Sequence, residues 1–269
     1  MYKKSLWYIS ICITFVSLLV FVVGFVKAVS FASVPTTGTN QLVSQKATRS
    51  TSGGLSNRSN VLHIVLMGDS IAKGTGDEKG KGIGGYLVDL LKSQTPKDLQ
   101  VDNLGVDGYK IQDLANQLSS GKDDNLIKNA DFLIISIGGS ELQQIQSAQS
   151  IQKDQSFQTE QGTFVSELQD ILKKIRTLNK TTQIIMIGNY NPLSVVNTTD
   201  NVSYLDTWTY KTQLVLANDD RATFIPTYNI FKNNLNRFIS SDKQNPNSTG
   251  YQTIAYLLSK SVENTLSKH

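Results

Sequence analysis

The sequence predicts an α/β domain in which a five-stranded parallel sheet lies between two layers of helices. The first observation is that five short apolar runs, rich in β-branched residues, recur along the chain, as buried strands require. The second is that helical patterns separate these runs, and such alternation produces parallel sheets with right-handed crossovers. The third is that glycine-containing polar segments follow the strands, where α/β proteins place their functional sites.

Residues 1–27 are predicted to form a membrane anchor ahead of this domain. Residues 6–26 are uncharged and, at about 1.5 Å per helical residue, long enough to cross a bilayer core of roughly 30 Å. Lys3 and Lys4 precede the apolar run and favour a cytoplasmic amino terminus. The expected location is therefore the cell membrane, as a single-pass protein with its carboxyl-terminal domain extracytoplasmic. The alternative is secretion after cleavage of a signal peptide near Ser30-Phe31-Ala32.

Residues 28–60 are predicted to be a disordered polar linker. They are rich in Ser, Thr, Gly and Asn and poor in large apolar side chains, so burial cannot offset the entropy cost of ordering them. The folded domain is expected to occupy residues 61–269.

The composition argues against several classes of function. The formal net charge is +4, but residues 1–27 contain three lysines and no acid, which leaves 23 basic and 22 acidic residues. A nearly neutral body gives no support for nucleic-acid binding. The single cysteine, Cys12, lies in the apolar segment and cannot build a disulfide framework. No cluster of side chains has metal-ligand spacing, so we expect no metal or other cofactor, and we expect a monomer.

Each element of the domain has its own signal in the sequence. The predicted strands are the apolar runs at residues 61–67, 99–104, 132–137, 183–187 and 223–226. The clearest helix covers residues 164–178, because six apolar side chains fall on one helical face: Phe164, Leu168, Ile171, Leu172, Ile175 and Leu178. Four further helices are predicted at residues 85–92, 111–118, 204–217 and 249–266.

Polar blocks stand at the ends of the predicted strands. Gly68-Asp69-Ser70 follows the first strand, and a serine on a tight strand-to-helix turn has its hydroxyl held clear of the sheet. The second strand runs into residues 103–108 (NLGVDG), and the third into residues 137–141 (IGGSE). Residues 188–192 (GNYNP) follow the fourth strand, and residues 241–247 (SDKQNPN) precede the last helix. In this order, the blocks resemble those of the SGNH hydrolases, also called GDSL lipases or acylhydrolases.

The resemblance implies a flavodoxin-like three-layer sandwich and a serine esterase. It makes Ser70 the nucleophile, with an oxyanion hole formed by the Ser70 amide, the Gly105 amide and the side chain of Ser140. It makes Asp242 the residue that orients a histidine three positions later. The substrates it implies are ester-bearing small molecules, lipids or cell-wall glycans.

The chain departs from the family pattern at two of these positions. Asn245 stands where the family has its histidine, and Ser140 where the family has an oxyanion-binding asparagine. An amide has no basic nitrogen, so Asn245 cannot take the proton of the serine. His63 is seven strand residues before Ser70, or roughly 23 Å away, and His269 ends the chain. A remaining alternative is that Asp242 is the base, directly or through a water, although a carboxylate with a pKa near 4 is a weak one.

These departures leave two hypotheses for the function. One is a weak or unconventional esterase that uses Ser70 and Asp242. The other is a non-catalytic pseudoenzyme that binds an acylated sugar, a cell-wall polymer or a lipid. A purely structural role has no support in the sequence.

Two further patterns have plain structural explanations. Residues 80–85 (GKGIGG) match the dinucleotide-binding fingerprint but do not follow a strand directly, so we expect a mobile loop there. Tyr204, Trp208 and Tyr210 could line a groove, although aromatic residues at helical spacing more often belong to a core.

Overall fold

The fold is described from a computed structural model for residues 60–147, 153–192 and 198–267. The predicted anchor, nearly all of the predicted linker and His269 lie outside these residues. No helix in the described ranges combines the length and the apolar character needed to cross a membrane.

Five parallel strands form one sheet, as predicted. The strands are β1 (Val61–Gly68), β2 (Asp98–Gly105), β3 (Phe132–Ser136), β4 (Gln183–Ile187) and β5 (Ala222–Ile225). The spatial order is β2-β1-β3-β4-β5, and every neighbouring pair is parallel. In register, Gly68 at the end of β1 pairs with Gly105 on one side and Ser136 on the other. The carboxyl ends of three adjacent strands are therefore level, and they form one edge.

Helices cover both faces of this sheet. Alternate residues of the central strands point to opposite faces, so Val65 and Met67 join one apolar core and Ile64 and Leu66 join the other. The helices are α1 (Ser70–Lys73), α2 (Gly82–Leu91), α3 (Ile111–Ser119), α4 (Asp124–Asn129), α5 (Gly139–Ser147), α6 (Lys153–Leu178), α7 (Thr199–Leu216), α8 (Tyr228–Phe231), α9 (Leu235–Phe238) and α10 (Ser248–Leu266). The α3, α6 and α7 helices pack over the first core, and α2 and α10 over the second.

The segment between α1 and α2 corrects the expectation of a mobile loop. The Asp77 carboxylate accepts hydrogen bonds from the backbone N–H groups of Lys79, Lys81 and Gly82 at 2.7 to 3.0 Å. It also accepts one from the Ser248 hydroxyl at the start of α10, at 2.6 Å. The amides that a phosphate would need are thus bound to a carboxylate of the chain itself, which argues against a dinucleotide site.

Candidate active site

The proposed nucleophile lies at the carboxyl end of β1, where the chain turns into the single-turn helix α1. Gly68 has φ +121°, and a Cβ there would lie 1.8 Å from the Ser136 carbonyl oxygen, so only glycine fits. The Asp69 side chain then caps α1 by accepting a hydrogen bond from the Ile71 amide at 3.0 Å. This strand end and cap together present Ser70 at the sheet edge, as the sequence predicted.

Ser70 is joined to Asp242 through Asn245. The Ser70 hydroxyl donates to Asn245 Oδ1 at 2.8 Å, and Asn245 Nδ2 donates to Asp242 Oδ2 at 2.7 Å. If the Asn245 amide were flipped, its oxygen would face the Asp242 carboxylate, and two acceptors would meet without a hydrogen. Asp242 therefore determines that the amide nitrogen faces it and that the oxygen faces Ser70. Like a neutral histidine in a catalytic triad, the Asn245 side chain accepts a hydrogen bond from the serine and donates one to the aspartate. Unlike histidine, it cannot take up the serine proton.

Asp242 is poorly suited to act as the base. Burial raises the pKa of its carboxyl, but hydrogen bonds from the Asn245 side chain and from the Gln244 and Asn245 amides lower it more, so the pKa lies below its ordinary value. The two amide nitrogens are 2.8 and 2.9 Å from Asp242 Oδ1. A carboxylate stabilised in this way has less affinity for a proton than a free one.

The structure does not bring all of the predicted oxyanion groups together. Ser140, in the first turn of α5, lines the cleft beside Ser70. The N–H of Gly105, however, donates to Asn103 Oδ1 at 2.9 Å, and the Gly105 α-carbon packs against the backbone of α1, where a Cβ would lie 2.3 Å from the Lys73 nitrogen. Gly108, three residues later, lines the cleft instead. The assignment of Gly105 is therefore wrong for this geometry, whereas the roles of Ser140 and the Ser70 amide stay predictions.

The cleft around Ser70 is small and polar. Its volume is about 250 Å³. Four amide side chains line it, Gln143, Asn189, Gln244 and Asn245, together with the side chains of Ser70, Thr75, Ser140 and Tyr190. The charged residues on its described surface are Asp69 and Asp107, and no lysine or arginine lines it. The described residues of this cleft suit uncharged, hydroxyl-rich ligands better than anionic ones.

Asp69, the middle residue of the Gly68-Asp69-Ser70 turn, is a buried titratable group of the cleft. The residue is 3% exposed. Burial raises the pKa of its carboxyl from 3.8 to about 7, and hydrogen bonds from Ser136, Ile71 and Ala72 oppose that rise only in part. The motif contained this residue, but the pKa depends on burial, which the motif does not reveal.

The remaining candidates lie away from Ser70 or within the core. His63 is in β1, toward the edge opposite the cleft, and its backbone N–H donates to Asp131. Trp208 and Tyr204 are buried in the first core, whereas Tyr210 is 60% exposed. In the described ranges, no group of three His, Cys, Asp or Glu side chains is placed to hold a metal ion.

The comparison with known proteins agrees with the fold and with the motif order. The model of the GDSL-like lipase/acylhydrolase family matches residues 66–253. The uncharacterized protein YpmR of Bacillus subtilis (strain 168) is 32% identical over 203 residues, which cover 72% of this chain and 79% of that protein.

Solved structures of ester hydrolases share the architecture. A lipase from a goat rumen metagenome superposes with a TM-score of 0.64 at 18% identity, covering 73% of this chain and 95% of its own. A variant of an acetyl xylan esterase from Geobacillus stearothermophilus gives 0.57 at 18% identity, with coverage of 74% and 96%. A family 3 carbohydrate esterase from Clostridium thermocellum gives 0.56 at 17% identity, with coverage of 77% and 98%. The family match spans the sheet and the polar blocks from within β1 into α10, and on that ground the chain belongs to the GDSL-like lipase/acylhydrolase family.

Proposed function

We propose that this protein acts on short-chain acyl esters of neutral glycans, as a slow serine esterase. The observation that carries this proposal is the chain of hydrogen bonds from Ser70 through Asn245 to Asp242. These bonds support Ser70 as the nucleophile, but the Asn245 amide that contacts it cannot take up a proton. Loss of triad members typically leaves only about 10³ to 10⁴-fold catalysis over water, so slow turnover is expected.

The chemistry of the cleft supports a short acyl group. Each buried methylene contributes about 0.8 kcal/mol only where apolar surface receives it, and the apolar lining consists of Ile71, Pro192 and the ring of Tyr190. A volume of about 250 Å³ is also below the roughly 300 to 1,000 Å³ usual for ligand pockets. Two of the structural neighbours are named as an acetyl xylan esterase and a carbohydrate esterase, which is consistent with this choice.

We further propose that the domain is tethered outside the cell by residues 1–27. The described chain enters at Val61, at the amino end of β1, and the cleft lies at the opposite end of this strand, about 26 Å away at 3.3 Å per residue. The uncharged apolar run at residues 6–26 is long enough to cross a bilayer and supports the tether. Cell fractionation tests the anchor: the full chain should sediment with membranes, and recovery of a shortened chain in the culture medium would support signal cleavage instead.

Hydrolysis of p-nitrophenyl acetate by the full chain, purified in mild detergent, tests the assignment of the site. We expect slow turnover that Ser70→Ala reduces to background. Asn245→His should raise the rate by about 10² to 10⁴-fold, because it supplies the missing general base. Asn218→His, which adds a histidine at an exposed position after α7, is the matched control and should leave the rate unchanged. If Ser70→Ala and Asn245→His both behave as the parent does, the site is not here.

The alternative function is ligand binding without turnover, and the amide at position 245 is the observation that favours it. Under this alternative the parent is inert and Asn245→His gains activity. Calorimetric titration with an acetylated xylo-oligosaccharide should then show binding by the parent. Ester turnover by the parent that depends on Ser70 would exclude the binding-only alternative.

A further inference from the structure

Asp107 is a charged side chain of the cleft that the proposed reaction does not use. It directly precedes Gly108 in the loop after β2, and both residues line the cleft beside Ser70. Its Oδ1 accepts a hydrogen bond from the Thr75 hydroxyl, and its Oδ2 forms an ion pair with the Lys73 ammonium. The bonds from Lys73 and Thr75 lower the pKa of the Asp107 carboxyl below its ordinary value, so this group is a poor proton acceptor.

The two partners of Asp107 belong to the segment that presents the nucleophile. Lys73 is the last residue of the four-residue helix α1, which begins at Ser70. Thr75 follows two residues later, and its backbone N–H donates to the Ser70 carbonyl oxygen at 3.0 Å. A helix of a single turn has little stability of its own. Contacts from outside α1 therefore determine where Ser70 is held.

The loop that contains Gly108 also depends on contacts with its surroundings. The start of the loop is held against β1, because the Val106 N–H donates to the Gly68 carbonyl oxygen at 2.9 Å. Gly108 has φ +74°, and in the described part of the chain no atom beyond its chain neighbours lies within 4 Å of the position that a Cβ would take there. Packing around that position is therefore open, whereas the side chain of the preceding residue, Asp107, binds α1 directly.

We propose that Asp107 is a positioning residue of the esterase site. Through Lys73 and Thr75 it holds the Gly108 loop at a fixed distance from α1, and so from Ser70. This inference rests on the proposed esterase function, because it assigns the side chain that aligns two sides of that site. Such alignment matters for the rate, since a displacement of about 1 Å can cost about 10²-fold in catalysis.

A second ion pair of the same kind provides a matched control. Lys81 and Asp89 pair at 2.6 Å with side chains that are 47% and 49% exposed, and the corresponding values for Lys73 and Asp107 are 51% and 48%. Neither Lys81 nor Asp89 is among the described residues that line the cleft. Half-exposed ion pairs contribute little to stability, so removal of either carboxylate should affect folding to a similar small extent. Only the removal of Asp107 should affect catalysis.

The test compares Asp107→Ala with Asp89→Ala in the full chain, with p-nitrophenyl acetate as the substrate. Both variants are measured in the parent and in the Asn245→His background. Asp107→Ala should lower kcat about 10 to 10²-fold with little change in KM, because alignment acts on the transition state rather than on substrate binding. Asp89→Ala should keep the kcat of its background. Urea unfolding midpoints should be similar for the two variants.

A double-mutant cycle tests whether Asp107 acts through its partner on α1. Lys73→Met removes the ion pair from the other side, and Lys73 is not among the described residues that line the cleft. Lys73→Met should lower kcat by itself, but the double variant with Asp107→Ala should be no slower than Asp107→Ala alone, because both changes break one contact. Losses that multiply in the double variant would overturn the proposal.

The remaining outcomes separate this proposal from the proposed function. If Asp107→Ala keeps the kcat of its background, or if Asp89→Ala loses as much, the positioning role is overturned while Ser70-dependent turnover leaves the proposed function standing. If Ser70→Ala has no effect on turnover in either background, the proposed function is overturned, and this inference with it.

Discussion

At the scale of single residues, Asn245 connects Ser70 to Asp242 by hydrogen bonds but has no basic nitrogen. Asn245 has donor and acceptor atoms at the right positions to contact Ser70 and Asp242, so the side-chain arrangement of the triad is kept without its proton affinity. A side chain without an acceptor at position 245 would instead leave the half-buried Ser70 hydroxyl without this hydrogen bond, which costs free energy. The amide at this position therefore satisfies both neighbours without offering a group that can take up a proton.

Gly68→Ala is a residue-scale test of the strand end that presents Ser70. The variant should lose at least about 3 kcal/mol of unfolding free energy, because a Cβ at φ +121° would lie 1.8 Å from the Ser136 carbonyl oxygen. Urea unfolding measures the loss. Gly162→Ala, in the exposed middle of α6, should instead gain about 0.5 to 1 kcal/mol, and equal midpoints for the two variants would contradict this account of the turn.

The sequence identified Ser70, Asp242 and Asn245 because a linear motif preserves their spacing. It did not identify Gly108, because Gly105 at the end of β2 and Gly108 are only three residues apart and only the folded loop distinguishes them. It likewise gave no sign of the pKa of Asp69 or of the position of Asn189 beside Gly139, since burial and the approach of β4 determine both. The sequence contains Asp69-Ser70 and the GNYNP block as recognisable motifs, but it does not show that the two lie side by side in the folded chain.

At the scale of elements, length explains which parts of the fold could be predicted. All five strands were predicted to within about two residues, because a strand buried on both faces is a continuous apolar run. The longer helices were predicted from their apolar faces, although α6 begins at Lys153, eleven residues before its predicted start. The short helices α1, α4, α5, α8 and α9 were not, because helices of 4 to 9 residues depend on caps and tertiary contacts more than on their own periodicity.

The loop between α1 and α2 shows the same dependence. Its glycines and charges suggested mobility, yet Asp77 and Glu78 bind the start of α10 through Ser248. The Tyr251 hydroxyl, one turn into α10, also donates to the Thr75 carbonyl at 2.7 Å. These contacts join the loop after Ser70 to the helix that follows Asn245. The two segments that carry the nucleophile and its partner are therefore held together by side chains outside the motif.

At the scale of the whole molecule, the parallel sheet collects the polar blocks at one of its edges. The chain enters the described domain at the amino edge of the sheet, and the polar blocks collect at the carboxyl edge. Parallel strands make this unavoidable, since all of their carboxyl ends meet at one edge. Burial at that edge also determines the ionisation of Asp69, so a property of the whole fold affects the stability.

The stability of the domain should therefore depend on pH through Asp69. Because the pKa rises from 3.8 to about 7 on folding, the folded protein keeps a proton that the unfolded chain releases between these pH values. The contribution of Asp69 to stability is fully present below the unfolded pKa and is lost as pH rises through the folded pKa, by on the order of a few kcal/mol. Asp69→Asn should match the parent near pH 4 and exceed its unfolding free energy near pH 8. Urea unfolding of both proteins at several pH values measures the difference, and a difference that stays constant with pH would mean that the carboxyl ionises equally readily in the folded and unfolded chains.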